Sequence, residues 1–254
     1  MKNVSNTQNL NKIIEFRQDL YANGFQKESD AMFETLDALL LAGSVPSFPQ
    51  LSIQSIFQRK WPSLYKGLQR GKLDTRWLSI YLAQQVPGGG VQCFSLDSTA
   101  WVRPRANTLD ERSIVRVPAA GTREGHIYNV GYEYSLLDWI PERNSSWSLS
   151  VDVHRVPFAK SVIEIGIEQV QRLNATRQEY TETVDIVAGD ARYGNERFYE
   201  PLQGGHCGLV ARMRKDRVLH FEQPPDYQRP RGRPTVHGKR FAFKEPEAWA
   251  EPDE

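Results

Sequence analysis

The segment Val86-Pro-Gly-Gly-Gly90 separates two kinds of hydrophobic periodicity. Before it, apolar residues recur at helical spacing; after it, short apolar runs of strand length take over. Pro and three glycines in a row cannot continue a helix and read as a linker. The chain of 254 residues is long enough for two domains of ordinary size. Three parts are therefore expected: a helical domain over 1–87, an α/β domain over 91–222, and a Pro-rich tail over 223–254, basic and then acidic.

In the first part, Leu10, Ile13, Ile14, Phe16, Leu20 and Tyr21 mark one helix, broken at Gly24. Ser29 or Asp30 can cap a second, running through Met32, Phe33, Leu36, Leu39 and Leu40 to Gly43. "SVPSFPQ" reads as a loop. Short helices are expected near 51–58, 63–70 and 74–86, with a turn at Trp61-Pro62. Residues 59–76 carry Arg59, Lys60, Lys66, Arg70, Lys72 and Arg76 against Asp74 alone. Short helices, a tight turn and a basic second helix suit a helix-turn-helix on a DNA phosphate backbone. A plain helical bundle with a charged exterior fits the same pattern.

After the linker, "VQCFSLDST" reads as a buried strand, "HIYNVGYEYSLLDWI" as a second and "WSLSVDVHRV" as a third. In the third, Trp147, Leu149, Val151 and Val153 are expected on one face and Ser148, Ser150, Asp152 and His154 on the other. Lys160 to Arg177 is a helix, "TVDIVAGD" a strand, "NERFYEPL" one or two helical turns, and "HCGLVARMRKDRVLHF" a last strand region. The order β-β-β-α-β-α-β makes a mixed sheet with flanking helices, the ribonuclease H-like order. In that fold the first strand is central and the fourth pairs beside it. Asp97 on the first and Asp190 ending the fourth would then become neighbours at one edge. A buried carboxylate at Asp97 would need a partner for its charge. Two adjacent carboxylates repel each other and are stabilised by divalent cations; oxygen-only ligands favour Mg²⁺ or Mn²⁺. Such ions support phosphodiester cleavage. The competing reading makes both aspartates turn-forming residues, each bonded to its own backbone.

Net charge is +1, but segregated: residues 124–200 carry −6 and residues 201–244 carry +7. A basic surface flanking an acidic site could bind a polyanion. The two cysteines, Cys93 and Cys207, lack CxxC spacing and support neither a disulfide framework nor a cysteine zinc site. The five histidines lack ligand spacing. Trp61, Trp77, Trp101, Trp139 and Trp147 read as core anchors. "GGG" without Lys-Ser/Thr is no phosphate loop. No signal peptide or membrane span is evident, and a cytoplasmic location is expected.

The sequence resembles the DDE-type insertion-sequence transposases of bacteria. "FSLDSTAWVRPRANTLDER" is similar to their first-aspartate segment and "DIVAGDARYGNERFYEPL" to their second-aspartate block. "GYEYSLLDWIPE" and "WSLSVDVHRV" are similar to their second and third strands, and "RPRGRPTVHGKRF" to the basic run after their fifth. The resemblance implies a ribonuclease H-like catalytic domain, binding to double-stranded DNA at transposon ends, and metal-dependent strand cleavage and transfer. It carries the catalytic, metal-holding aspartates to Asp97 and Asp190, and it allows a homo-oligomer. Arg103 and Arg105 are candidate phosphate contacts. "RGRP", with Arg231 and Arg233, resembles an AT-hook core suited to a narrow minor groove. One departure stands out. The family's third acid is a Glu on a helix after the fifth strand, whereas here a proline-rich tail comes next. The chain is expected to be the front part of such an enzyme, C-terminally truncated. It could instead be a DNA-binding remnant without catalysis, or a nuclease of this fold unrelated to transposition.

Overall fold

The computed structural model describes residues 2–44, 47–118, 126–142, 144, 146–214, 216–223 and 237–249. Its first half holds α1 (Lys2–Asn23), α2 (Ser29–Ala42), α3 (Phe48–Leu51), α4 (Trp61–Arg70) and α5 (Thr75–Gln85). Two short strands, β1 (Phe25–Lys27) and β2 (Lys72–Leu73), pair antiparallel between them. Ala38, Leu51, Phe57 and Leu64 form a small core that joins α2, α3 and α4. Gly67 lets α2 and α4 approach closely, since a Cβ there would come within 3.1 Å of the Ala31 Cβ.

Two expectations fail here for one reason. "SVPSFPQ" is not all loop, because α3 begins at Phe48, and the helix expected near 51–58 is replaced by turns after Leu51. Trp61-Pro62 is not a turn but the start of α4. Both helices carry Pro in their first positions. Proline's fixed φ suits the first helical turn, where its missing N–H costs nothing. Read as breakers, these prolines are starters.

The second half builds one sheet from β3 (Gly90–Val102), β4 (Ser113–Pro118), β5 (His126–Ile140), β6 (Leu149–Arg155), β7 (Thr183–Gly189) and β8 (Gly208–Ala211). Between them lie α6 (Val162–Arg177) and α7 (Glu196–Tyr199), with a 3₁₀ turn at Glu200–Leu202. β3 is central, antiparallel to β5 and parallel to β7, and β8 continues parallel beyond β7. The free edge of β5 is shared, its first half by β4 and its second by β6. Leaving β4 aside, this is the ribonuclease H-like order, α/β and mixed. The periodicity gives no sign of β4. The last strand region also divides: β8 stops at Ala211, and β9 (Val218–His220) pairs instead with β10 (Arg240–Ala242). No helix among the described residues is long and apolar enough to cross a membrane.

One face of the sheet packs on α6. Phe94, Leu96, Leu137 and Val187 meet Val162, Val170 and Leu173 there, together with Tyr193, Phe198 and Leu202. α5 belongs to the same core through Ala83 and Val86. The segment after it is no free spacer. The buried Arg177 donates to the carbonyls of Ala83, Val86 and Pro87 at 3.1, 2.9 and 3.1 Å.

The alternation expected in β6 does not hold. Val151 and Asp152 are consecutive and both buried, beside a register shift in the β5–β6 pairing. Asp152 turns inward because α6 offers polar groups: it pairs with Arg172, and Gln169 donates to its carbonyl. Val153 is left 45 % exposed. The tryptophan expectation is corrected as well, since Trp61, Trp101 and Trp147 are exposed.

Candidate active site

Leu96 of β3 and Gly189, the last residue of β7, are in-register partners. Asp97 and Asp190 come one step further on each strand. Neighbouring strands lie about 4.8 Å apart, so the two residues sit on neighbouring backbones where the β3–β7 pairing ends. Side chains alternate along β3, which puts Asp97 on the face opposite Leu96 and away from α6. The apolar segment does not bury Asp97 as expected. Both aspartates are exposed, and β3 runs on past Asp97 to Val102.

Each carboxylate makes one short bond to its own chain. Asp97 Oδ1 accepts from the Ser98 amide at 2.7 Å, and Asp190 Oδ1 from the Arg192 amide at 2.8 Å. The Arg192 bond makes an Asx-type turn that fixes where the acid points, and the Asp190 carbonyl also accepts from the Tyr193 amide at 3.1 Å, closing a β-turn beneath it. Tyr193 then dives under the loop and is buried. Its ring needs glycine below it: a Cβ at Gly189 or Gly166 would come within 3.0 Å of it. Burial pushes the Tyr193 hydroxyl pKa well above its ordinary value, and the fields of Asp190 and Asp97 add to the rise.

A second anchor holds the Asp190 loop from the side. Arg192 donates to Glu133 Oε1 of β5 at 2.6 Å and to the Ser98 hydroxyl of β3 at 2.8 Å, and Ser98 itself donates to Glu133 at 3.1 Å. Partial burial works against the guanidinium charge, but the Glu133 hydrogen bond and charge outweigh it, so the Arg192 pKa is raised. The loop carrying Asp190 is thereby tied to the strand carrying Asp97. Sequence reasoning misses Arg192, Glu133 and Ser98; the only available signal is the position of Arg192 two residues after Asp190. A double-mutant cycle on Glu133→Gln and Arg192→Gln should return a coupling of about 1 kcal/mol in urea unfolding, between the values of exposed and buried pairs. Additive losses would show that the contact does not hold the loop.

The other expected site residues are spread out. Arg59 is already engaged, with Asp30 at 2.8 Å and Glu34 at 3.2 Å. Lys60, Lys66 and Arg70 are exposed on or beside α4, and Lys72 lies on β2. Arg103 is half-buried, its guanidinium 3.8 Å from the Trp101 ring centroid, while Arg105 is exposed. Trp101 shares the Asp97 face of β3, roughly 13 Å along the strand. Arg231 and Arg233 lie outside the described residues.

Asp97 and Asp190 each keep a second carboxylate oxygen without a hydrogen-bond partner among the described residues. Two exposed, oxygen-only donors on a shared edge fit a hard divalent cation that retains several waters. No group of three or more His, Cys, Asp or Glu suited to a metal occurs among the described residues.

The model of the DDE superfamily endonuclease family matches residues 20–254. The chain belongs to that family. Among solved structures, a Drosophila P element transposase strand transfer complex is similar at 10 % identity, over 71 % of this chain and 41 % of that one, with a TM-score of 0.35. A Mos1 transposase paired-end complex with the left transposon end is similar at 13 % identity, over 69 % and 56 %, with a TM-score of 0.25. This DDE-superfamily chain therefore spans about half the length of those transposases. No curated protein matches it.

Proposed function

We propose that this chain is a transposase-like nuclease in which Asp97 and Asp190 hold Mg²⁺ or Mn²⁺ for cleavage and transfer of DNA strands at transposon ends. The observation that carries the reading is the Leu96–Gly189 pairing, which brings two acids distant in sequence to one sheet edge in a chain of this family. When bound, such an ion supplies Lewis-acid stabilisation of phosphate charge and an activated water or hydroxyl. The chain's own residues position it. The Asx-type turn aims Asp190, the Arg192–Glu133–Ser98 contact ties its loop to β3, and Asp97 is held by its pairing with Leu136 of β5, one residue past the last β3–β7 pair.

In the same reading, residues 1–87 form the DNA-recognition part, with Lys60, Lys66, Arg70 and Lys72 on duplex phosphates. Arg59 contributes less, because Asp30 and Glu34 hold it. Charge reversal of Lys66 and Arg70 together should weaken binding to duplex DNA. It should also make the slope of log affinity against log salt shallower by about 2, one per lost phosphate contact. An unchanged slope would move the DNA contact elsewhere.

A second reading is favoured by the lack of any three-acid cluster among the described residues: a chain that binds DNA without cutting it. Incubating supercoiled plasmid with the chain and Mn²⁺ separates the two. Nicking that disappears on Asp190→Asn supports the nuclease. Salt-sensitive binding with no nicking at any metal concentration supports the second.

A further inference from the structure

On the α6 side of the sheet, next to the Asp190 loop, lies a cleft of about 490 Å³ that the reading above leaves unused. Its floor is the Glu133–Arg192 pair. One wall is the β4–β5 hairpin, where Arg116 and Tyr128 are direct cross-strand partners and so project from one face. The other wall is the loop between β6 and α6, which carries Phe158 and Lys160. That loop is tied to the floor by the Val156 amide, which donates to the Glu133 carbonyl at 2.8 Å.

The chemistry of the walls is unusual for a protein surface. Phe158 is 78 % exposed and Tyr128 74 % exposed, two aromatic rings beside one opening. Arg116 has neither a hydrogen-bond nor an ion-pair partner among the described residues. Of the cations in the lining, Lys160 pairs with Glu168 and Arg192 with Glu133, which leaves the Arg116 guanidinium as the one without an ion-pair partner among the described residues. Exposed rings beside an unpaired guanidinium are what an unpaired nucleotide uses: its base stacks on the rings and its phosphate meets the cation. The volume suits a ligand of that size, and a duplex would be too wide to enter.

We propose that this cleft binds single-stranded DNA, stacking a nucleobase on Phe158 and Tyr128 with the adjoining phosphate on Arg116. The inference rests on the nuclease reading, because Arg192 is shared by the cleft floor and the Asp190 loop, so a strand end held here reaches the base of that loop. It assigns the cleft to the unpaired part of the substrate and leaves the duplex to the N-terminal helices.

The test uses the full chain carrying Asp97→Asn, in EDTA, so that neither metal nor cleavage enters the measurement. A short single strand with a terminal 2-aminopurine should bind with quenched fluorescence, the signature of stacking. Phe158→Ala with Tyr128→Ala should weaken binding about tenfold or more and restore the fluorescence, while duplex affinity stays within about twofold. Arg116→Ala should weaken single-strand binding and lower its salt slope by about 1. All three side chains are exposed, so the variants should melt like the parent. Unchanged single-strand affinity in the double variant would overturn the inference. So would equal losses for single strand and duplex, or a change only in oligomeric state, which would make the cleft a protein contact. Because binding is read without metal, a chain that fails to nick plasmid but shows this stacking refutes the nuclease reading and keeps the cleft.

Discussion

Asp97→Asn should leave the protein folded, abolish metal-dependent nicking, and remove the stabilisation that Mn²⁺ gives to the parent chain. Each effect stems from the exposed pairing at the end of β7. Asp97 is exposed, and among the described residues its carboxylate accepts one hydrogen bond, from the next amide, a bond that an Asn carbonyl oxygen can also accept. The fold therefore loses little. Without metal the parent keeps two carboxylates on adjacent strands, which repel each other; neutralising one should keep or slightly raise the melting temperature. With Mn²⁺ the order should reverse. A ligand that binds only the folded chain stabilises it by mass action, so a hundredfold excess over Kd should raise the melting temperature of the parent by about 5–10 °C. In Asp97→Asn half the charge of the site is gone. Losing a donor outright should cost more than the roughly 10- to 100-fold in affinity typical of residues one shell further out. Thermal melts with and without Mn²⁺, read beside plasmid nicking, check all three effects. An Asn variant that still gains the full shift would place the metal elsewhere and sink the assignment. Asp190→Asn should behave alike, with one difference. Its Oδ1 also closes the turn at Arg192, so a small fall in the metal-free melting temperature is expected there and not at Asp97.

How far the sequence reaches depends on the range of the forces involved. The strand and helix order after Gly90 is legible because it rests on local periodicity and turn residues. Given that order, the adjacency of Asp97 and Asp190 comes from topology alone, before any side chain is placed. Partners far away in the chain decide the rest. β6 presents Asp152 inward because Arg172 and Gln169 wait on α6, and no pattern within the strand itself announces that. The apolar run around Asp97 points to burial, but a strand has two faces, and only the one with Phe94 and Leu96 is covered. Pro49 and Pro62 mislead because proline both stops and starts helices, and the residues C-terminal to it decide between the two. Counting Arg59 as a free charge misses its neutralisation by Asp30 and Glu34 of α2, far back in the chain.

The largest omission concerns Arg177, whose replacement is the second large expected effect. Arg177 and Asp185 are both fully buried, joined by Nε–Oδ2 at 2.7 Å and Nη2–Oδ1 at 3.2 Å. The remaining donors go to three carbonyls at the end of α5, so one guanidinium binds α5, α6 and β7 together. The carboxylate that the sequence leads one to expect inside the sheet is therefore Asp185, and its partner is a cation, not a metal. A buried pair adds little over a well-packed apolar pair, because desolvation offsets the attraction; removing one member is a different matter, since it strands the other. Arg177→Met leaves Asp185 buried with His206 Nε2, at 3.3 Å, as its nearest charge-capable neighbour, and takes the donor from three carbonyls. The expected loss is about 3–5 kcal/mol in urea unfolding, a large share of the roughly 5–15 kcal/mol that holds most domains. Asp185→Leu should cost about as much by leaving the arginine charge unpaired. Arg177→Met with Asp185→Leu should cost clearly less than the two single losses added, yet more than nothing, because the carbonyls at Ala83, Val86 and Pro87 still lack their donor. Strict additivity would mean that the two charges do not depend on each other. A double variant as stable as the parent would mean that the carbonyl contacts are incidental and that α5 is held to the sheet by Ala83 and Val86 alone.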